Sequence, residues 1–317
     1  MQEKARRSLA PPLMRRGLKM THLRLFNVLA QTGQISAAAN ALAISQPAAS
    51  RLAAEAERIA GAQLYVRTSH GIALTVAGAA FAARAKRMLL EVEETERELT
   101  EILKGNTGKV NIGSVTGPAV EHVLPAIRQA RLHLPKVTVN IEVSTSDVLA
   151  PALLEGNLDF ILARLPKEHD PRLFEARFVG PEPISLIVRR GHPLLRRPEV
   201  AMERLMEFDW VMPLEGALLR TTLEATLLAR GMSLPRKVLN TSSFLMTIVT
   251  VNQTNAIAPI ATSVARFFSS ETGMGGAIAE LDVGLPLQVQ PYALITMAGR
   301  ELTPAAKAVY EFISASL

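Results

Sequence analysis

The chain of 317 residues contains no cysteine. This absence excludes disulfide bonds, thiolate metal sites and thiol nucleophiles, and it fits a reducing compartment. Long apolar runs are absent too, since no stretch approaches 18 uninterrupted apolar residues, so we expect no membrane-spanning helix. The basic N-terminus is not followed by the apolar segment of a secretory signal. The sequence therefore predicts a cytoplasmic protein.

Familiar enzyme motifs are also missing. The sequence has no HExxH, Walker A, GxGxxG or GxSxG pattern, and Gly113-Ser-Val-Thr-Gly117 has its serine one place too early for a nucleophile elbow. The six histidines, at positions 22, 70, 122, 133, 169 and 192, lack the spacing of a metal site. We therefore expect no catalytic residue, no metal and no cofactor.

Positive charge is concentrated in the first quarter of the chain. Residues 1–78 hold ten Lys and Arg against three Glu, a net charge of +7, whereas the rest of the chain holds 25 basic and 26 acidic side chains. Hydrophobic residues make up 48% of the chain, enough for two or three globular domains. The distribution indicates that only the N-terminal quarter meets a polyanion.

Residues 1–18 are predicted to be a basic, disordered leader. Pro11, Pro12 and Gly17 interrupt any regular structure in this segment. The sequence also offers Met14 or Met20 as an expected alternative to Met1 for the start of translation.

Three short helices and two strands are predicted for residues 19–78. Each helix has a candidate N-cap: Thr21, Ser36 and Ser45. Two short strands follow at 64–67 and 71–75, joined by a polar turn that contains His70. This order is that of a winged helix-turn-helix DNA-binding domain, although Ala-rich helices also occur in ordinary bundles.

The candidate DNA contacts lie on the helices and the wing of this domain. A helix-turn-helix places the start of its second helix in the major groove, where glutamine pairs with adenine and arginine with guanine or phosphate. Residues of a wing meet phosphates at the flank. The predicted DNA-binding residues are Ser36, Ser45, Gln46, Pro47, Ser50, Arg51, Arg67 and His70.

A linker and dimerisation helix is predicted for residues 79–104. Its apolar positions alternate four and three apart, which favours pairing with a second helix; the alternative is a lone amphipathic helix on its own domain. These positions are Phe81, Ala85, Met88, Val92, Thr95, Leu99 and Ile102. The six glutamates between Glu91 and Glu101 are predicted to form a solvated face.

Residues 109–317 are predicted to form a two-lobed α/β domain with a mainly parallel sheet. Strand and helix patterns alternate from Lys109 to Ala163, as in βαβ units. Lobe I is assigned to residues 109–181 and 285–317, and lobe II to residues 182–284. A strand over 184–188 is expected to begin lobe II.

Serine, threonine and arginine side chains follow predicted strands in both lobes. The segment from Gly113 to Pro118 joins a strand to a helix start, where backbone N–H groups and hydroxyls bind an anion or a polar ligand. Arg164 adds a positive charge at the same sheet edge. These residue types also suit plain helix caps and a surface arginine. The predicted ligand-binding residues are Ser114, Val115, Thr116, Arg164, Ser242 and Ser243, and the ligand is a carboxylate or a sugar.

The segment Ser36-Ala-Ala-Ala-Asn-Ala-Leu-Ala-Ile-Ser-Gln-Pro-Ala-Ala-Ser-Arg51 resembles the LysR-type transcriptional regulators, as do Leu64-Tyr-Val-Arg67 and the segment 71–78. The family patterns SQPA[VA]SR and LF-x-R are matched with two small departures, Ala49 for the usual Val and Tyr65 for the usual Phe. The resemblance extends from about Met20 to the C-terminus.

The predicted fold class is α+β and multidomain. It comprises a winged helix-turn-helix, a long linker helix and a C-terminal two-lobed α/β effector domain that resembles periplasmic binding proteins. The resemblance implies a homodimer through the linker helix, usually assembled as a tetramer. Such a regulator binds promoter DNA and senses a small-molecule effector in the interlobe cleft.

Two other classes of protein remain open at this point. A two-lobed solute-binding protein without a regulatory role would use the same C-terminal body, with the N-terminal quarter as an appendage. An enzyme on that body would need a catalytic acid, base or nucleophile, which the sequence does not reveal.

Overall fold

The computed structural model describes residues 13–69, 71–104, 107–166, 168–196, 202–270, 276–284 and 286–317. They form two compact units that divide between Thr100 and Glu101. No helix in these ranges is both long and apolar enough to cross a membrane.

The first unit consists of helices and a two-stranded wing. Its elements are α1 (Met20–Thr32), α2 (Ile35–Ala41), α3 (Gln46–Ala60), β1 (Tyr65–Thr68), β2 (Gly71–Leu74) and most of α4 (Val76–Lys104). The wing strands are antiparallel. Buried alanines on α2 and α3 allow these helices to pack closely. Phe26 and Phe81 form an edge-to-face pair with their ring centroids 5.2 Å apart.

The start of α1 differs from the prediction. The helix begins at Met20, so Thr21 lies in the first turn and is not the N-cap. The N-cap is Lys19, whose backbone N–H donates to His22 Nδ1 at 3.0 Å. The imidazole of His22 therefore provides an acceptor for the backbone N–H of Lys19, which has no partner within the helix.

The start of α2 was also predicted wrongly. Gly33 ends α1 in the left-handed conformation at φ 64°, and Gln34 is the extended N-cap of α2, so Ser36 lies inside the first turn. Ser45 does cap α3 as predicted, and its Oγ accepts a hydrogen bond from the N–H of Ala48 at 3.4 Å.

Helix α4 begins at Val76, three residues before the predicted boundary. Thr75, at the end of the wing, starts it, because the Thr75 hydroxyl oxygen accepts from the N–H of Gly78 at 3.0 Å. A Cβ at Gly78 would lie 1.8 Å from the Leu64 carbonyl oxygen. Only glycine lets α4 lie this close to the wing.

The second unit has two lobes. Lobe I contains β3 (Gly108–Ser114), α5 (Thr116–Pro118), a π-helical turn (Ala119–Val123), α6 (Leu124–His133), β4 (Val137–Val143), α7 (Ser146–Leu154), β5 (Phe160–Ala163) and α11 (Pro304–Ala315). Lobe II contains β7 (Trp210–Met212), α8 (Leu218–Ala229), β8 (Val238–Asn240), α9 (Phe244–Gln253), β9 (Ala258–Ala261), α10 (Thr262–Ser269) and β10 (Ile278–Leu281). Two long strands, β6 (Phe174–Arg189) and β11 (Gln288–Met297), run between them.

The main sheet is mixed, which corrects the prediction of a mainly parallel sheet. Its strand order is β10-β6-β11-β5-β3-β4, with β9 also paired to β6. Strands β3, β4 and β5 are parallel, but β6 and β11 are antiparallel to their neighbours. β6 pairs with β11 up to Pro183 and with β9 from Ile184, so it belongs to both lobes. It begins ten residues before the strand predicted over 184–188.

Glu101 corrects the prediction that all six glutamates of α4 are solvated. Its side chain is buried, with Oε1 accepting from Thr303 Oγ1 at 3.2 Å and Oε2 accepting from the N–H of Ala305 at 3.1 Å. The carboxylate thus caps the start of α11, where backbone N–H groups lack helical partners. Gly105 and Asn106, between α4 and β3, lie outside the described residues.

Candidate nucleic-acid interface and interlobe site

Helix α3 buries one face and exposes the other. The buried face consists of Ala49, Ala53, Ala56 and Ile59, four and three residues apart. On the other face, the predicted DNA-binding residues lie at the start of the helix: Ser45, Gln46, Pro47 and Arg51 are exposed, and Ser50 is half-buried. These side chains therefore share an accessible helix start.

The acidic side chains of this region are held by protein contacts. Within residues 13–78 they are Glu55 and Glu57. Glu57 Oε1 accepts from the backbone N–H groups of Leu64 at 2.8 Å and Tyr65 at 3.3 Å. Glu55 Oε2 lies 3.5 Å from Nε2 of the buried His22. Glu57 therefore joins the end of α3 to the first strand of the wing.

The wing is also fixed to the turn between α1 and α2. The N–H of Ile72 donates to the Gly33 carbonyl at 2.8 Å. A Cβ at Gly71, where φ is 136°, would lie 2.4 Å from the same carbonyl oxygen. These contacts set the position of Arg67, on β1, relative to α3.

Arg51 and Arg67 give this surface its positive charge. Both are exposed, and in the described part of the chain neither has a carboxylate within ion-pairing distance. Ser36 is exposed on α2, and His70 lies outside the described residues. Free guanidinium groups bind phosphate, and amide and hydroxyl groups at a helix start hydrogen-bond to base edges.

The predicted ligand-binding residues of lobe I lie at one sheet edge. β3 and β5 are adjacent and parallel, and the N–H of Val115 donates to the Leu162 carbonyl at 3.0 Å. Ser114 is fully buried, and its hydroxyl donates to the Val115 carbonyl at 3.0 Å. Thr116 is exposed. Of these three residues, Thr116 offers the accessible hydroxyl.

Arg164 lies at the same edge, but its charge is balanced. Its Nη2 forms an ion pair with the Glu182 carboxylate, and its Nε donates to the Gln290 carbonyl at 2.9 Å. Its backbone N–H donates to Ser146 Oγ at 3.0 Å. The side chains of Arg164 and Glu182 are 12% and 13% exposed. The sequence predicts a positive charge here, and the structure shows a neutral pair.

Gly117 brings lobe I against lobe II. A Cβ at this position would lie 2.0 Å from Glu182 Oε1 and 3.0 Å from the Ala261 Cβ. Ser263 Oγ donates to the Gly117 carbonyl at 3.4 Å. The Arg164–Glu182 pair therefore lies beside the place where the two lobes meet.

A histidine–tyrosine pair lies near the Arg164–Glu182 pair. The four residues, His122, Arg164, Glu182 and Tyr292, are called the cluster below. His122 Nε2 and the Tyr292 hydroxyl are 2.7 Å apart. Burial, followed by the charges of Glu121 and Glu182, raises the pKa of Tyr292 to about 12, while Arg164 acts in the opposite direction. The phenol therefore keeps its proton at neutral pH, and its electrostatic coupling to the Arg164–Glu182 pair places it in the same neighbourhood.

The lobe II residues Ser242 and Ser243 follow β8. Ser243 Oγ accepts from the N–H of Met246 at 3.3 Å and so caps α9, while Ser242 is exposed. Within the described ranges, neither makes a hydrogen bond to lobe I. Nearby, Arg220 Nη1 donates to Asn240 Oδ1 at 2.8 Å and holds the end of β8.

Comparison with known proteins gives a consistent family. Residues 20–79 match the family model described as bacterial regulatory helix-turn-helix protein, lysR family, and residues 103–317 match the LysR substrate binding domain. The transcriptional regulator GbpR of Rhizobium radiobacter is 44% identical over 254 residues, which cover 80% of this chain and 84% of that protein. GbpR of Azospirillum brasilense is 33% identical over 292 residues, which cover 92% and 84%.

Solved structures share the fold. A full-length OxyR variant from Pseudomonas aeruginosa aligns with a TM-score of 0.60 at 20% identity, covering 94% of this chain and 97% of that chain. Full-length CbnR in complex with its target DNA aligns with a TM-score of 0.58 at 20% identity, covering 95% and 100%. The chain belongs to the LysR family of transcriptional regulators, with an N-terminal helix-turn-helix domain and a C-terminal effector-binding domain.

Proposed function

We propose that this regulator binds promoter DNA in the cytoplasm through the start of α3 and the wing, and that a small molecule between the lobes changes this binding. The observation that carries the proposal is the exposed Arg51, which has no ion-pair partner among the described residues, on the same first turns of α3 as the exposed Gln46. An arginine and an amide at the start of a recognition helix match the donor and acceptor pattern of the major groove.

The wing supports the same mode of binding. Glu57 and the contact between Ile72 and Gly33 fix the wing strands to the helices, so Arg67 is held at a set distance from α3. A fixed flank contact to phosphate positions the recognition helix without reading sequence. Gln46 and Arg51 then supply the base contacts.

Fluorescence anisotropy with the intergenic duplex next to the gene tests this mode. Gln46→Ala and Arg51→Ala are each expected to weaken binding roughly tenfold or more, because a good base contact contributes about 1–3 kcal/mol. Arg51→Ala should also reduce the salt dependence if the guanidinium contacts phosphate. The matched control is Arg131→Ala on the exposed side of α6, which should bind like the unmodified chain. Unchanged affinity in both α3 variants would refute the role of this helix.

We also infer a homodimer through α4. Phe81 and Ala85 pack within the first unit, but the apolar positions that follow are 50–63% exposed: Met88, Val92, Leu99 and Ile102. Together with Thr95 they keep the alternating four and three spacing of a heptad seam. A second copy of α4 supplies the apolar surface that covers this stripe. Assembly of two such dimers into a tetramer is a further expectation.

A further inference from the structure

The cluster at the lobe junction already contains a charge-balanced pair. Arg164 and Glu182 are paired, and both side chains are nearly buried. A carboxylate ligand would have to displace Glu182 from Arg164 or lie next to the Glu182 charge. Either arrangement leaves a partly buried carboxylate without its own cation, which is strongly unfavourable. The pair therefore disfavours an anionic ligand.

The same pair retains hydrogen-bonding capacity. Arg164 uses Nε and Nη2 for Gln290 and Glu182, and its Nη1 has no hydrogen-bond partner in the described part of the chain. Glu182 uses Oε2 for Arg164, while its Oε1 lies beside Gly117. A hydroxyl group both donates and accepts, so it can bind the carboxylate and the guanidinium together. An ionised carboxylate group can only accept.

Neighbouring groups extend this pattern. The protonated Tyr292 hydroxyl and the His122 ring, 2.7 Å apart, again offer both a donor and an acceptor. The exposed Thr116 hydroxyl adds another such group next to Gly117. Several donor–acceptor groups around a net-neutral pair match a ligand that carries several hydroxyls of its own.

We propose that this cluster binds a neutral polyhydroxylated ligand, a sugar or a polyol, and discriminates against the corresponding carboxylate. The inference rests on the proposed function, which places a small molecule between the lobes. Arg164, Glu182, His122 and Tyr292 are the residues that bind the ligand. Because the Arg164–Glu182 pair lies where the two lobes meet, a ligand bound to it contacts both lobes.

Isothermal titration of the full chain with matched probes tests the ligand class. The probes are aldohexoses beside their uronic acids, aldopentoses beside their aldonic acids, and hexitols. At least one neutral probe is expected to bind, with its acid at least tenfold weaker.

Glu182→Gln gives the sharper result. This variant should bind the neutral probe about tenfold more weakly and the matching acid more tightly, because Arg164 is then free to pair with a carboxylate. A purely structural role of the pair would lower both affinities. The control is Asp170→Asn, which breaks the exposed pair with Arg172 and should leave both affinities unchanged.

The outcomes separate the two proposals when operator binding is measured alongside. An acid that binds more tightly than its sugar, depends on Arg164 and changes operator affinity would refute the ligand class and support the proposed function. Failure of every probe, or binding that is insensitive to both Arg164→Gln and Glu182→Gln, would refute the ligand class. A sugar that binds at the cluster without changing operator affinity would support the ligand class and contradict the proposed function.

Discussion

His192 shows at the residue scale how burial sets a charge state in lobe II. Its ring is fully buried, with Nδ1 accepting from the N–H of Leu194 at 3.2 Å and Nε2 3.1 Å from the Asn255 carbonyl oxygen. These partners suit the neutral ring with its proton on Nε2. Burial accordingly lowers the pKa of His192 below its usual 6.5.

This shift predicts acid sensitivity. In the unfolded chain His192 takes up a proton near pH 6.5, whereas in the folded chain it resists protonation until lower pH. Its contribution to the free energy of unfolding is therefore complete above pH 6.5 and is lost as pH falls. His192→Gln does not titrate, so its melting temperature should fall less between about pH 8 and about pH 5. His133→Gln, at an exposed site on α6, is the control. An identical acid response of His192→Gln and the unmodified chain would contradict this account.

The two candidate sites differ in how far single residues reveal them. Ser45, Pro47 and Arg51 lie in one short segment, so the N-cap of α3, the helix itself and its candidate DNA contact can all be predicted from neighbouring residues. His122 and Tyr292 are 170 positions apart and meet only after the chain has built both lobes. No local pattern marks such a pair, and Glu182 lies in the first part of β6, before the strand predicted over 184–188.

At the element scale, Glu101 links the last turn of α4 to the start of α11. Glu101→Ala leaves the N–H of Ala305 and the Thr303 hydroxyl without their acceptor, and should lower the free energy of unfolding by about 1–2 kcal/mol. Glu101→Gln keeps an acceptor oxygen and should lose less. Urea denaturation gives both values.

Glu98→Ala is the matched control, since Glu98 is exposed on the same helix. It should change stability by less than about 0.5 kcal/mol. If Glu101→Ala and Glu98→Ala unfold at the same urea concentration, the cap has no energetic role.

Helices of this chain are easier to predict than its strand directions. Helices α9 and α11, for example, each begin at a hydroxyl cap, Ser243 and Thr303, which is a local signal in the sequence. The direction of β6 and β11 depends on which lobe the chain enters next. A local pattern of alternating strands and helices does not predict when the chain passes from one lobe to the other. The sheet was therefore predicted as mainly parallel and is mixed.

At the scale of the whole molecule, the exposed stripe of α4 predicts an obligate partner. The double variant Val92→Glu/Leu99→Glu should halve the mass measured by light scattering, because carboxylates on a heptad seam oppose pairing. Both positions are exposed in the single chain, so its fold should persist. Operator affinity should fall with the mass, since one chain contacts one half-site.

Thr100→Glu is the control for this variant. Thr100 is exposed on α4 but lies off the stripe, so its substitution should leave the mass unchanged. A Val92→Glu/Leu99→Glu protein that retains the mass of the unmodified chain would show that α4 is not the dimer contact.

The pairing of β6 with β11 has a mechanical consequence. Its register shifts between Val289 and Tyr292, opposite Gly180, and such irregularities remove ladder hydrogen bonds and allow a strand to bend. Glu182 and Tyr292 lie on this irregular stretch. If the proposed ligand binds there, it contacts the strands where they can bend, and a small displacement at that point would rotate one lobe against the other. Residues that stiffen this stretch would set effector sensitivity without touching either effector or DNA.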